Sequence, residues 1–136
     1  MLEFGAILHD VGKIAIPDNI LNKPGKLDQD EEEIMHSHAE LGTNILKEIT
    51  HLQAALPYVL YHHERWDGKG YPHQLIADEI PMEGRLLAIA DAYDAMTTDR
   101  PYRKRMPKET ALERLLIDSG TQFDPVMVDS FVGIMA

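Results

Sequence analysis

The sequence predicts an all-α protein of about five or six helices, and three observations support this prediction. Apolar residues recur at helical spacing along most of the chain. Prolines and capping residues stand at the positions where helices would begin. No run of about four to eight residues alternates between apolar and polar side chains, as a half-buried strand would.

The first half of the chain contains three predicted helices. The first is the apolar run 1–8, which Gly12 follows and which begins without a capping residue. Asp28 and Glu31 form a capping-box pattern after a predicted loop, and the apolar period that follows continues to about Thr50. The third helix covers residues 56–63.

The second half begins with a long polar loop, 64–81, and continues with three more helices. Pro81 is well placed to open a helix over residues 82 to about 97. Pro107 and Pro125 open two further helices in the same way, and Asp124 is the predicted N-cap of the last one.

The composition describes one acidic globular domain. The chain has 136 residues, of which 44% are hydrophobic and 26% charged, and its formal net charge is −10. This charge argues against a binder of nucleic-acid polymers or membrane surfaces, and no apolar run is long enough to cross a bilayer. The absence of cysteine excludes disulfides, thiolate catalysis and iron–sulfur clusters. We expect a single cytoplasmic domain over residues 1–136.

Several imidazoles and carboxylates lie within or beside apolar helical stretches. They are His9, Asp10, His38, His62, His63 and Asp91. A buried carboxylate is costly unless it is paired or binds a metal. Each residue alone is explained by ordinary hydrogen bonding, but their combination indicates a polynuclear site for first-row transition metals. The remaining histidines stand in polar contexts, and we expect them to be solvated at the surface: His36, His51 and His73.

Two segments carry a resemblance to a known family. The run from His9 to Lys13 is similar to the signature of the HD phosphohydrolase superfamily, and residues 62–72, HHERWDGKGYP, resemble the segment that defines its HD-GYP subfamily. The blocks ADAYDAMT (90–97), RPYR (100–103) and QFDP (122–125) follow in the family's order. The resemblance covers almost the whole chain.

The resemblance implies an HD-domain helical bundle that acts as a bacterial phosphodiesterase on cyclic di-GMP, with linear pGpG or GMP as product. It implies two divalent metal ions, iron or manganese, and a third in some complete members. One ion would be held by His9, Asp10 and Asp91. The other would be held by His38, His62 and His63, with Asp10 bridging the two ions.

The remaining roles implied by the resemblance concern the substrate. Lys13, Arg100 and Arg103 would contact phosphate, and Tyr71 would line the substrate pocket. Asp10 and Lys13 are the predicted catalytic residues, since paired ions can lower the pKa of a bridging water and clamp a phosphate. Glu64 and Asp94 are candidate hydrogen-bond acceptors for the outer imidazole nitrogens.

The sequence departs from the family pattern at its beginning. Family members take a further histidine, and in trinuclear members a glutamate, from a helix upstream of the HD dipeptide, and only eight residues precede His9. We therefore expect an N-terminally truncated domain with a sensory or receiver domain upstream in the full-length protein. An apolar face left by the missing helix would favour self-association, for example as a homodimer. The resemblance also implies GGDEF-type domains as partners of the GYP loop.

Two alternative functions remain. The first is a catalytically incomplete HD-GYP module that binds nucleotide or partner proteins without turnover, which the missing upstream ligand suggests. The second is a di-iron oxygenase, because HD-type ligand sets can also activate O₂. The GYP segment and the pair Arg100 and Arg103 favour a phosphate substrate over the oxygenase.

Overall fold

The computed structural model describes residues 1–136 and contains no β-strand. The α-helices are α1 (Leu2–Leu8), α2 (Asp18–Leu21), α3 (Gln29–His36), α4 (His38–Leu46), α5 (Leu56–Tyr61), α6 (Met82–Thr97), α7 (Lys108–Ile117) and α8 (Pro125–Met135). Three 3₁₀ helices cover Val11–Ala15, Thr50–Ala55 and Ala77–Glu79. The predicted all-α class is confirmed. None of the helices has the length and apolar character needed to span a lipid bilayer.

The eight α-helical segments exceed the predicted five or six for two reasons. The short helix α2 lies in a segment that the sequence indicated as loop. The helix predicted from residue 28 to about 50 is interrupted at Ser37, which separates α3 from α4. The Ser37 hydroxyl donates to the carbonyl oxygen of Ile34. A side chain that competes for helix carbonyls in this way weakens the regular backbone ladder.

Most predicted helix starts are confirmed. Asp28 and Glu31 form the capping box, with each side chain accepting the backbone N–H of the other residue at 2.9 Å. The Asp124 carboxylate accepts the N–H groups of the first turn of α8, and Pro125 is the first residue of that helix. Pro81 and Pro107 stand at the N-cap, one position before the predicted place.

The hydrophobic core has two parts. The first joins α6, α7 and α8 and is formed by Ile89, Leu112, Leu115, Phe123 and Val128. The second lies between α4 and α5 and is formed by Leu46, Leu52 and Val59, with Leu8 and Val11 packed against it. The second part therefore anchors the end of α1 and the adjoining 3₁₀ helix, from which His9 and Asp10 project.

A close backbone contact brings the N-terminal segment onto α4. A Cβ atom at Gly12 would lie 1.9 Å from the carbonyl oxygen of His38 and 2.6 Å from the backbone nitrogen of Gly42. Only glycine permits this approach, since no side-chain atom can occupy that space. The contact sets Asp10 opposite His38.

Candidate metal and substrate site

The predicted metal ligands come from five separate elements. His9 caps the end of α1, and Asp10 directly precedes the first 3₁₀ helix. His38 opens α4, His62 caps the end of α5, and Asp91 lies in α6. Their functional groups converge at one place in the bundle. The structure thus brings the sequence-predicted ligands together.

Three of the imidazoles share one local arrangement, in which Nδ1 donates to the backbone carbonyl three residues earlier. The pairs are His9 with Ala6 (2.6 Å), His38 with Met35 (2.8 Å) and His62 with Val59 (2.9 Å). A carbonyl can only accept, so Nδ1 carries a hydrogen in all three rings, and Nε2 is the nitrogen that faces Asp10. The expectation that Glu64 or Asp94 orients these rings was wrong, because main-chain oxygens do so.

The carboxylate of Asp10 lies at the centre of the cluster. Its Oδ1 atom is 3.4 Å from His38 Nε2 and 3.8 Å from His62 Nε2. Its Oδ2 atom is 3.3 Å from both His9 Nε2 and Lys13 Nζ. Oδ1 therefore faces the imidazoles of His38 and His62, whereas Oδ2 faces His9 and the ammonium group of Lys13.

Three buried polar atoms of this cluster have no hydrogen-bond partner: Asp10 Oδ1, His38 Nε2 and His62 Nε2. Buried polar atoms are almost always paired, and three unpaired ones that converge call for a common partner. Lone pairs of neutral imidazoles and a carboxylate are the donor set that divalent transition metals bind. These residues therefore fit a metal ion.

His63 completes this group of ligands. One ligand atom from each of Asp10, His38, His62 and His63 lies within 4.8 Å of the others. Burial, together with the neighbouring imidazoles of His62 and His38, lowers the pKa of His63 to about 3. Its ring is therefore neutral over the physiological pH range, as metal coordination requires.

The second side of the cluster contains His9 and Asp91. His9 Nε2 lies 3.4 Å from Asp91 Oδ1, and hydrogen bonding to Asp10 and then to Asp91 raises the pKa of His9 to about 10. His9 in turn lowers the pKa of Asp91. Burial raises the pKa of Asp10, but the surrounding imidazoles outweigh burial and hold this pKa well below its usual range. Both carboxylates are therefore ionised at neutral pH.

A cleft of about 340 Å³ opens beside the cluster. Its walls include His62, His63 and Asp91 together with the basic residues Arg65 and Lys69. Lys69 was expected to supply positive charge for a phosphate, whereas Arg65 was not among the sequence candidates, although it belongs to the segment that carries the resemblance. The cleft thus combines candidate metal ligands with positive charge, which suits a phosphate-bearing ligand.

Tyr71 also lines this cleft, and its contact with a substrate stays a prediction. Burial raises the pKa of its phenol well above the usual range, so the hydroxyl stays protonated. The ring stacks on His36 with centroids 3.8 Å apart and an interplanar angle of 7°. His36 is half-buried and lines the cleft, so the expectation that it is a solvated surface residue was wrong. No local pattern around His36 indicates this contact, which joins α3 to a distant loop. His51 and His73 are exposed, as expected.

Glu64 has a structural role in the loop that follows α5. Its side chain is buried, and its two oxygens accept the backbone N–H groups of His73 at 2.6 Å and Leu75 at 3.0 Å. Glu64 therefore holds the second part of the loop against the start of the same loop. Asp94 is exposed and accepts the hydroxyl of Thr98.

Arg100 and Arg103 lie in an exposed turn after α6, where their backbones pair with each other. Neither residue lines the cleft. The Arg103 guanidinium donates to the carbonyl oxygen of Ala95, at 2.6 Å, and Ala95 does line the cleft. Arg103 thus contacts a residue of the cleft wall without lining the cleft itself. The phosphate-binding role of both arginines stays a prediction.

The helical bundle brings these candidate ligands together, and comparison with known families identifies the domain. The model of the HD domain family matches residues 1–127. The chain belongs to the HD domain family, which confirms the resemblance seen in the sequence.

Curated relatives are similar over nearly the whole chain. The 3′3′-cGAMP-specific phosphodiesterase 2 of Vibrio cholerae is 43% identical, with 100% of this chain and 28% of the relative aligned. A cyclic di-GMP phosphodiesterase of Thermotoga maritima is 45% identical, with 96% of this chain and 36% of the relative aligned. The chain thus spans about a third of the length of these relatives.

A solved structure agrees with the fold. The crystal structure of a cyclic GMP-AMP specific phosphodiesterase of Vibrio cholerae (V-cGAP3) superposes with a TM-score of 0.73, over 98% of this chain and 37% of that one. The sequence identity is 21%, so this likeness concerns the fold alone.

Proposed function

We propose that this chain is the HD-GYP phosphodiesterase domain of a larger protein and that it hydrolyses cyclic di-GMP or a related cyclic dinucleotide. The names of the relatives support the substrate class, because they include enzymes for cyclic di-GMP and for 3′3′-cGAMP. The cleft supports it as well, since Lys69 and the guanidinium of Arg65, which is shared with Asp67, stand beside the candidate metal ligands of a chain whose net charge is −10.

One observation carries the proposal: one oxygen of Asp10 faces His38, and the other oxygen faces His9. In this proposal the chain would hold two divalent ions, iron or manganese, and Asp10 would supply a carboxylate oxygen to each. His9 and Asp91 complete the ligands of one ion. His38, His62 and His63 complete those of the other. When bound, the ions lower the pKa of a water and neutralise charge on the phosphoryl oxygens.

The residues of the chain orient the substrate. Lys13 Nζ, 3.3 Å from Asp10 Oδ2, brings an ammonium donor to the phosphate beside the bridging carboxylate. The protonated hydroxyl of Tyr71 offers a neutral donor on the cleft wall. Arg100 and Arg103 hold the second phosphate in this proposal, because a guanidinium can bind a phosphate with two parallel hydrogen bonds.

The test is turnover of cyclic di-GMP by the chain loaded with Mn²⁺ or Fe²⁺, with pGpG and GMP separated by chromatography. We expect metal-dependent product formation and its loss on addition of a chelator. Parallel assays with 3′3′-cGAMP measure the preference between the two substrates. Absence of turnover by a longer protein that includes this chain, with metal demonstrably bound, would contradict the proposal.

The alternative of a binding module without turnover is favoured by one further observation. Another cavity, of about 220 Å³, is lined by His9 and Asp91 together with Ala6 and Asp94. If the ion on that side needs a ligand from outside these 136 residues, the chain alone would bind cyclic di-GMP without cleaving it. Cleavage by a longer protein, together with binding alone by this chain, would identify the chain as part of a catalytic domain.

Three further sequence predictions stay proposals. They are an upstream sensory or receiver domain, a GGDEF-type partner for the GYP loop, and a homodimer in the cytoplasm. The apolar side chains exposed on α1, Phe4 and Ile7, are the surface that self-association would bury. Sedimentation of the chain at several concentrations measures whether it associates.

A further inference from the structure

Both faces of the Tyr71 ring are covered by imidazoles. The His36 ring lies parallel to it on one side, 3.8 Å between centroids. The His63 ring stacks against it at 4.8 Å with an interplanar angle of 22°. The three rings form a column that leads from the outer part of the cleft to the candidate metal ligand His63.

This column limits what Tyr71 can offer a ligand. A nucleobase cannot stack on Tyr71, because neither ring face is free. Its edge and its hydroxyl remain, and a tyrosine hydroxyl can donate and accept a hydrogen bond. Tyr71 therefore acts as a hydrogen-bonding wall of the cleft, and its use depends on the direction in which the hydroxyl points.

Hydrogen bonds fix the backbone of Tyr71, so the position of its hydroxyl depends on the torsion angles of the side chain. The Tyr71 N–H donates to the carbonyl oxygen of His63 at 3.2 Å, and the following residues are tied to Glu64 through the N–H of His73. Rotation of the side chain is limited by the flat contacts on its two faces. His63 supplies one of these contacts, and His36 supplies the other from a different element, α3.

We propose that His36 is a positioning residue for substrate binding, which holds the Tyr71 ring against His63 so that its hydroxyl meets a phosphate or sugar oxygen of a cyclic dinucleotide. The identity of the ligand in this inference rests on the proposed function, but the restraint that His36 places on the Tyr71 ring can be measured without any ligand. His36 is the last residue of α3, and the interruption at Ser37 separates it from the metal ligand His38. His36 therefore shapes the substrate wall and not the metal centre.

The first experiment measures directly how strongly His36 restrains the Tyr71 ring. The variants His36→Ala and His36→Leu remove the flat ring, whereas His36→Phe keeps it. The exposed His51→Ala is the matched control. Nitration of Tyr71 by tetranitromethane, followed by mass spectrometry of the peptide, is expected to become about 3- to 10-fold faster in the Ala and Leu variants, as the loss of one aromatic contact allows. The Phe variant and the control are expected to match the wild type.

The second experiment measures the consequence for the ligand. With the Mn²⁺-loaded chain, the Kd for cyclic di-GMP is expected to rise about 3- to 10-fold in His36→Ala and His36→Leu and to recover in His36→Phe. Metal content is expected to be unchanged in all variants. Where turnover is measured, KM follows Kd and kcat stays within about twofold of the wild type, because the metal centre is intact.

The outcomes separate this inference from the proposed function. Unchanged nitration of Tyr71 in the Ala and Leu variants would show that His36 does not restrain the Tyr71 ring. A Kd that stays raised in His36→Phe would show that ring stacking is not the cause of the change in affinity. Loss of metal in the Leu variant would contradict the claim that His36 affects substrate binding without affecting metal binding. If the wild type neither binds nor cleaves any cyclic dinucleotide, the proposed function fails together with the ligand part of the inference. The nitration result would still decide the role of His36 at Tyr71.

Discussion

Asp10 Oδ1 and His38 Nε2 lie 3.4 Å apart in the protein interior, and neither atom has a hydrogen-bond partner. Each is fixed by its own backbone, since His38 Nδ1 donates to Met35 and Asp10 directly precedes a 3₁₀ helix. The protein therefore holds two unpaired polar atoms opposite each other. Such an arrangement is costly unless a third group binds both atoms, and this cost supports the proposal that a metal ion binds here.

Substitution of Asp10 is expected to remove more metal than substitution of His38. Asp10 faces the nitrogen ligands on both sides of the cluster, whereas His38 faces one side only. Asp10→Ala is therefore expected to lose nearly all bound Mn²⁺, and His38→Ala is expected to keep the ion beside His9. Metal content per chain, measured by mass spectrometry of the dialysed protein, gives the comparison.

The control for this metal measurement is His51→Ala, which removes an exposed imidazole far from the cluster and is expected to keep the wild-type content. Circular dichroism checks that each variant is helical. Equal metal losses in Asp10→Ala and His38→Ala would contradict the bridging role of Asp10.

A methyl group at position 12 is expected to disrupt the approach of the N-terminal segment to α4. The Cβ atom of Gly12→Ala would lie 1.9 Å from the His38 carbonyl oxygen, so the backbones must separate. We expect the free energy of unfolding to fall by about 3 kcal/mol or more, at the upper end of overpacking effects. Urea unfolding followed by circular dichroism measures the change.

Gly133→Ala is the matched control for Gly12→Ala. Gly133 lies in α8, and a Cβ atom there would meet nothing within 4 Å. This variant is expected to stabilise the protein by about 0.5–1 kcal/mol, because alanine is the better helix former. Similar unfolding midpoints for the two alanine variants would show that the contact between Gly12 and α4 does not hold the segment.

The elements that local rules specify were the ones that could be predicted. The capping box at Asp28 and the N-cap at Asp124 depend on residues within one helical turn, and both are confirmed. The break at Ser37 was not predicted, because the apolar period continues across it. The ion pair between Arg85 and Asp124, at 2.7 Å, joins the start of α6 to α8, and no local pattern reports such a distant contact.

In the candidate site, too, local patterns predicted some features, whereas others depend on distant contacts. The ligand types were visible in the sequence, because histidines and aspartates inside apolar stretches need a partner. The main-chain bonds to Nδ1 could not be assigned before the ends of α1 and α5 were known, since they use carbonyls near those ends. The stack of His36 on Tyr71 depends on how a distant loop folds back, so composition around His36 indicated only a polar surface.

Glu64→Gln is expected to loosen the loop that follows α5. The two Glu64 oxygens accept the N–H groups of His73 and Leu75, and an amide side chain offers only one accepting oxygen. One buried N–H would then face an NH₂ group, and the free energy of unfolding is expected to fall by about 1–3 kcal/mol. Hydrogen exchange of the His73 and Leu75 amides is expected to become faster.

The exposed Glu48 provides the control for the loop experiment. Glu48→Gln makes the same chemical change at the surface and is expected to leave both stability and amide exchange unchanged. Amide exchange at residues 73 and 75 that is the same in Glu64→Gln and in the wild type would show that the carboxylate does not anchor the loop.

The Asp67 carboxylate is expected to stay ionised to unusually low pH. Arg65 donates to both of its oxygens, with distances of 3.1 Å and 2.8 Å, and this hydrogen bonding lowers the pKa of Asp67 from 3.8 to about 2. Because the folded pKa is the lower one, the pair stabilises the fold above about pH 4, and this contribution is lost as the pH falls towards 2. Carboxyl ¹³C shifts recorded against pH measure the pKa directly.

The variant Arg65→Gln connects this titration to the cleft. It is expected to raise the pKa of Asp67 towards its ordinary value, whereas Lys47→Gln, at an exposed position, is expected to leave it unchanged. Arg65 lines the cleft, so a bound phosphate must share the guanidinium with Asp67. If Asp67 titrates at the same pH in Arg65→Gln and in the wild type, the guanidinium is not committed to Asp67 and all its donors are free for the ligand.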